Sequence, residues 1–178
     1  MLFNSLQFLV FFVTVYILYL LLPHRWQNRM LLLASYIFYG SWDVRFLALL
    51  IFSTTADYFF ALRIDSAVCP AGRRKWVTAS LVLNLCILFF FKYFNFFVDS
   101  FDILARKFGI HIPLRMLNVV LPVGISFYTF QALSYTIDVY RGILRPTGRW
   151  SEFALYVAFF PQLVAGPIER ATNLLPQV

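Results

Sequence analysis

Apolar residues run in long blocks separated by short polar or basic segments, and the block lengths predict helices that cross a membrane. Phe3 to Leu22 carries no charge over about 20 residues, enough at about 1.5 Å per residue to span a hydrocarbon core of about 30 Å. Nothing basic precedes it, and Pro23-His24-Arg25 follows in place of small residues suited to cleavage, so it reads as a retained helix and not as a secretory signal. Met30 to Trp42 is short and broken by Gly40-Ser41, and Phe46 to Leu62 follows with Asp57 inside it. Together these two predict a hairpin of one short and one longer helix. A polar loop is expected from Arg63 to Trp76, containing Pro70, Gly72 and Arg73-Arg74-Lys75. Val77 to Val98 is a further span with Lys92 as its one charge, placed to snorkel, and the mixed stretch Asp99 to Leu117 predicts an amphipathic helix lying in the interface. Val119 to Tyr140 is a span interrupted near its start by Pro122 and Gly124. Arg141 to Ser151 is a basic connection, and Phe153 to Ile168 is apolar but broken by Pro161, Gly166 and Pro167.

Composition sharpens this picture. Of 178 residues 61% are hydrophobic and 13% charged, with 22 Phe against 8 Asp plus Glu, which leaves too little polar surface to cover a water-soluble globule. The fold class is therefore all-α: a polytopic integral membrane protein of about five to six transmembrane or re-entrant helices, read as one transmembrane unit over residues 1–178. The formal charge of +7 would suggest nucleic acid in a soluble chain; here Lys and Arg flank apolar runs, so membrane lipids are the expected partner and nucleic acid is not. With the N-terminus outside, the inner connections hold nine basic residues: Arg25, Arg29, Arg63, Arg73, Arg74, Lys75, Arg141, Arg145 and Arg149. The outer ones hold four: Arg45, Arg106, Lys107 and Arg115. That bias predicts a multi-pass, N-outside arrangement. It also supports the hairpin, because a single crossing from Met30 to Leu62 would put the Arg73 cluster outside.

Polar residues inside spans need a reason, since each costs on the order of 3 kcal/mol at a helix centre unless it finds a partner or water. Gln131, Ser134, Tyr135 and Asp138 fall at i, i+3, i+4 and i+7, with Tyr128 one turn earlier, so all five share one helical face. Two accounts fit this stripe: interhelical hydrogen bonds within the bundle, or the wall of a substrate passage. Asp57 is expected to pair with Arg63 or to line the same interior, and Asp138 to pair with Arg141 at the interface. The segment from Phe159 to Ile168, with Gln162, Gly166 and Pro167, combines two prolines and a glycine, and irregular backbone at membrane depth needs protein or a hydrated cavity to satisfy it. It predicts a re-entrant or cavity-lining element, with a proline kink in a packed helix as the alternative.

No phosphate-binding glycine loop and no metal-ligand set occur in the sequence. Cys69 and Cys86 suggest neither a disulfide nor zinc. His24 and His111 both fall in connecting stretches, away from any apolar face where a buried general base would sit.

Several motifs carry a family resemblance. The opening Met1 to Phe8, Leu33-Ala34-Ser35-Tyr36-Ile37-Phe38-Tyr39-Gly40-Ser41-Trp42-Asp43, Phe91-Lys92-Tyr93-Phe94-Asn95-Phe96-Phe97, Leu121 to Gln131 and Pro161 to Ile168 resemble, in order, the N-terminal portion of bacterial membrane-bound O-acyltransferases of the alginate O-acetyltransferase type. The resemblance implies a larger helical ring enclosing a tunnel in the bacterial inner membrane. Through it an acetyl group would pass from acetyl-coenzyme A or another acyl donor to a hydroxyl of an exported polysaccharide, with other acetylation-complex subunits as partners and no bound cofactor. Tyr128, Gln131, Ser134, Tyr135, Asp138, Gln162, Gly166 and Pro167 would face that tunnel. The family places its catalytic histidine on a later helix that no position here matches, so no catalytic residue is assigned and the chain is expected to be an inactive N-terminal fragment. A non-catalytic scaffold or docking subunit of a polysaccharide secretion complex is the competing expectation.

Overall fold

The structure, a computed structural model, describes residues 5–107, 120–163, 166 and 169–175. Every regular element among them is helical. Helix α1 (Leu6–Leu21) starts at Ser5, whose hydroxyl accepts from the Phe8 amide, and its flanks are almost entirely exposed, as a lipid-facing helix requires. Its inner edge packs through Phe8 and Phe11 against Phe38, with ring centroids 5.8 and 6.0 Å apart. Helix α2 (His24–Gly40) begins six residues before the expected Met30, because Pro23 fixes an extended start and basic side chains do not interrupt a helix. His24, Arg25 and Arg29 are thus helical residues. Helix α3 (Val44–Ser66) is capped by Asp43, which accepts from the Arg45 amide at 2.7 Å, and runs four residues past Leu62.

The polar loop expected over Arg63 to Trp76 contracts to residues 67–69, since α4 (Pro70–Lys107) starts at a proline, a residue favoured at a first helical position. The Arg73-Arg74-Lys75 cluster therefore belongs to the first two turns of α4. This helix is 38 residues long, roughly 57 Å at about 1.5 Å per residue. Residues 99–107 continue it, correcting the expectation of a separate interfacial helix; the rest of that stretch, residues 108–119, lies outside the described residues. Helices α3 and α4 are both long and apolar enough to cross a bilayer, and α1 is a shorter apolar helix, so the protein is a membrane protein. Lys92 is exposed and lies over the Tyr93 ring at 5.5 Å.

Helix α5 (Ile125–Tyr140) starts after the Pro122–Gly124 interruption and not at Val119, and α6 (Trp150–Ala158) ends at Phe159, whose backbone leaves the helical conformation. Two four-residue turns follow, α7 (Phe160–Leu163) and α8 (Ala171–Leu174). The break falls ahead of Pro161, which has no amide hydrogen to offer Val157 and whose ring would crowd that carbonyl. Helix α5 occupies the centre, against α3, α4 and α6, and nine of its sixteen residues are buried.

One end of the bundle collects the basic residues. Arg73 donates to the carbonyls of Val139 and Tyr140 at 3.0 and 2.9 Å, so the start of α4 closes the end of α5. Arg63 lies over Phe59 and Trp76. His24, Arg25 and Arg29 share a cleft with Arg149 and Glu152 at the start of α6. The chain begins α1 from the opposite end.

Candidate functional site

Two breaks in the backbone reach the interior, and side chains of α2 meet a freed group at each. At the entry to α5, Gly124 has φ of 76°, and a Cβ there would lie 2.9 Å from the Leu163 carbonyl oxygen, so both the left-handed backbone and the close approach to α7 require glycine. The Tyr39 hydroxyl of α2 donates to the Val123 carbonyl at 2.9 Å. At the α6–α7 break the Phe160 amide donates to the Ser35 hydroxyl at 3.2 Å, and Ser35 donates in turn to the Leu31 carbonyl. These repairs explain how non-helical chain persists here: at both breaks a freed backbone group meets a side chain of α2.

The stripe on α5 faces the same seam. Gln131 is fully buried and its amide donates to the Tyr156 carbonyl at 2.7 Å, near the end of α6. Tyr156 donates to the Glu169 carbonyl at 3.0 Å. Ser134 is half-buried and donates back to the Gln131 carbonyl of its own helix. Tyr135 is fully buried, packs on Phe153 with centroids 4.4 Å apart, and accepts from the Thr147 amide at 3.1 Å, drawing the basic 141–149 connection into the bundle. Tyr128 is buried edge-on to Tyr39, its hydroxyl near that of Tyr39 but outside hydrogen-bonding geometry. Gln162 is buried, and its carbonyl accepts from the Gly166 amide at 2.9 Å; a Cβ on Gly166 would lie 2.5 Å from the Gln162 side chain. Pro167 lies outside the described residues. Tyr128, Gln131, Tyr135, Gln162 and Gly166 thus sit along one seam, with Ser134 at its edge. Asp138 is half-buried near the basic end, and no ion pair joins it to Arg141 among the described residues.

Two atoms in this seam stand out. The Tyr128 hydroxyl and the Gln131 side-chain oxygen are buried without a hydrogen-bond partner, one turn apart on the same face. Such groups cost on the order of 1–3 kcal/mol each, so their placement needs a compensating role.

A second polar cluster escaped the sequence reading. Asp57 is fully buried, but its partner is not Arg63, which is turned onto aromatic rings. Asp57 Oδ1 accepts from the Ser80 hydroxyl at 2.6 Å, and the Asn84 amide donates to both carboxyl oxygens at 2.8 and 2.9 Å. Ser80 and Asn84, four apart on α4, are the signal: both lie on one face of the uncharged stretch from Val77 to Phe91. Their role is to lock α3 to α4 beside the central helix. Ser35, Tyr39 and Tyr156 were likewise missed, because a single polar residue in an apolar helix looks the same whether it serves its own turn or another segment.

Cys69 and Cys86 are free and exposed, the Sγ of Cys69 accepting from the Gly72 amide at the start of α4. His24 pairs with Gln27 at 3.1 Å, and Gln27 donates to the Tyr19 carbonyl, tying α2 to the end of α1. His111 lies outside the described residues. Among the described residues no cluster of three His, Cys, Asp or Glu side chains exists to hold a metal. The seam offers donors and acceptors at membrane depth, suited to holding a hydroxyl-bearing or carbonyl-bearing group in place.

Comparison with known proteins gives this geometry a context. The chain is 43% identical over 179 residues to a protein of Azotobacter vinelandii named "Probable alginate O-acetylase AlgI", covering 99% of this chain and 36% of that one. It is 44% identical to the protein of the same name from Pseudomonas aeruginosa, again over 99% of this chain and 34% of the relative. A peptidoglycan O-acetyltransferase of Helicobacter pylori is 34% identical over 88% of the chain. The chain spans about a third of the length of the curated relatives it matches. No family model matches it, and no solved structure does so significantly.

Proposed function

From its likeness to the alginate O-acetylases along nearly its whole length, the resemblance that the sequence motifs carried, we propose that this chain forms part of a membrane O-acetyltransferase acting on an exported polysaccharide. In this reading the basic end faces the cytoplasm, the N-terminus lies outside, and the membrane is the bacterial inner membrane; the nine basic residues gathered at one end support it. An acyl donor, acetyl-coenzyme A or another activated acetyl group, approaches from the basic end, and a polysaccharide hydroxyl accepts the acetyl group on the other side. Other subunits of an acetylation complex would deliver that polymer.

The observation that carries the reading is the buried, unfilled pair on α5: the Tyr128 hydroxyl is a donor and the Gln131 oxygen an acceptor, one turn apart beside the repaired breaks. Uncompensated groups in a membrane interior are retained where a substrate or water completes them. In this reading Tyr128, Gln131, Ser134 and Tyr135, with Gln162 and Gly166 from the broken segment, line one wall of the passage, and Asp138 lies at its basic end.

The test joins this chain to the remaining two-thirds found in the relatives and measures acetyl content of the exported polymer. Gln131→Leu and Tyr128→Phe should lower acetylation about tenfold at unchanged membrane abundance. If each lowers abundance and acetylation in proportion, the seam is only a packing device. If the joined protein assembles with secretion subunits but transfers no acetyl group, the scaffold reading replaces this one.

A further inference from the structure

We propose that the cavity between α1, α2 and the α6–α7 break, together with the basic cleft at its end, binds one anionic phospholipid, with an acyl chain in the cavity and the phosphate among Arg25, Arg29 and Arg149. This rests on observations separate from the seam and does not depend on the acetyl-transfer reading.

The cavity has a volume of about 370 Å³ and is lined by apolar and aromatic side chains including Val15, Tyr16, Leu31, Leu155 and Phe160. Along α1 its wall runs from Phe12 to Tyr19, roughly 10 Å at about 1.5 Å per residue, from the bilayer interior toward the basic end. The adjoining cleft, about 440 Å³, holds Arg25, Arg29 and Arg149. Asn28 lines both, so the apolar and basic compartments meet at one residue.

Charge selects the occupant. Three arginines face one acid, Glu152, which is already engaged by Arg149 at 3.0 Å and by the Thr147 hydroxyl at 2.6 Å. Among the described residues Arg25 and Arg29 have no acidic partner; Arg29 lies over the Trp26 ring at 5.1 Å. An unpaired two-arginine end on an apolar slot matches a molecule with a long hydrocarbon chain and a phosphate at its head, and basic pockets between membrane helices recognise anionic headgroups in this way. The groove on α4 lined by Phe89, Phe94, Phe97 and Phe101 provides an internal control: apart from Ser100 its wall is apolar, and among the described residues no basic side chain lines it.

The chain is reconstituted in phosphatidylcholine vesicles containing a trace of phosphatidylglycerol or phosphatidylcholine bearing a photoreactive group in one acyl chain, and cross-linked peptides are mapped. Phosphatidylglycerol should label the segments around residues 12–31 and 155–160 about tenfold more than phosphatidylcholine, and label the α4 groove without preference. The exposed double variant Arg25→Gln/Arg29→Gln should abolish the preference while keeping the chain folded, and excess inorganic phosphate should not displace the lipid. Equal labelling by the two lipids overturns the proposal in favour of an ordinary lipid annulus. Displacement by phosphate overturns it in favour of a site for a soluble phosphorylated ligand. Failure of either lipid to label the cavity in the chain joined to its relatives' remaining length overturns it in favour of a further helix as occupant.

Discussion

Helices α4 and α5 make opposite use of the same solvent. Between its charged ends the first holds the longer apolar stretch, with Lys92 as its one charge, yet that stretch is mostly exposed, with Phe89, Phe96 and Phe97 turned outward. The second is 16 residues long, interrupted at its start and marked by Gln131, Ser134, Tyr135 and Asp138, yet it is the most enclosed of the six longer helices except α6. In water the apolar helix would be the core. In lipid, which dissolves Phe as well as the protein interior does, apolarity no longer drives burial, and the polar helix moves to the centre because only protein can satisfy its hydrogen bonds. Ser80 and Asn84, the polar side chains in the middle of that apolar stretch, turn inward to Asp57, so the rule operates within a single helix as well as between two.

The strongest challenge to this contrast is at that inward face. Asn84→Leu would make α4 more apolar while stripping Asp57 of its double donor, and should destabilise the chain by about 3 kcal/mol, read as lost thermal resistance in mild detergent. A stabilised variant would break the contrast, since hydrophobicity would then suffice. Gly124→Val tests the break ahead of α5. With φ of 76° and a carbonyl 2.9 Å from the new Cβ, it should cost about 2 kcal/mol, visible as reduced folded yield in the same assay. Gln131→Leu removes one interhelical bond but relieves an unpartnered oxygen, so it should cost only about 1 kcal/mol of stability. A larger loss would mean that the seam exists for packing. Arg73→Gln removes a cation and its bonds from the end of α5 and should cost about 0.5–1 kcal/mol, measured as faster amide exchange over residues 137–140. Phe97→Ala on the lipid face of α4 should change stability by less than about 0.5 kcal/mol; a loss comparable to Asn84→Leu would show that α4 carries a partner there.

The sequence reading fared best where one element could be judged alone. The helical class, the order of the apolar runs and the i, i+3, i+4, i+7 stripe were all legible because hydrophobic blocks and helical periodicity are local. It fared worse at boundaries. Arg25, Arg29 and Arg73 lie between apolar runs and so look like loop residues, although charge does not end a helix when the chain can present that charge at a membrane surface. Pro70 looks like loop punctuation, but a proline at a first helical position starts a helix. The pairing of Asp57 with Arg63 used the nearest opposite charge in sequence, whereas the partners are 23 and 27 residues away on the next helix.

By itself the sequence determined that the protein is helical, that lipid is its solvent, and which α5 positions share a face, because transfer energetics and the 3.6-residue repeat act on each segment independently. Only the tertiary structure decided which polar groups complete one another: Tyr39 at Val123, Ser35 at Phe160, Gln131 at Tyr156, Ser80 and Asn84 at Asp57. A hydrogen bond needs its two atoms within about 3 Å of each other, and that proximity is set by how the helices pack, not by any spacing along the chain.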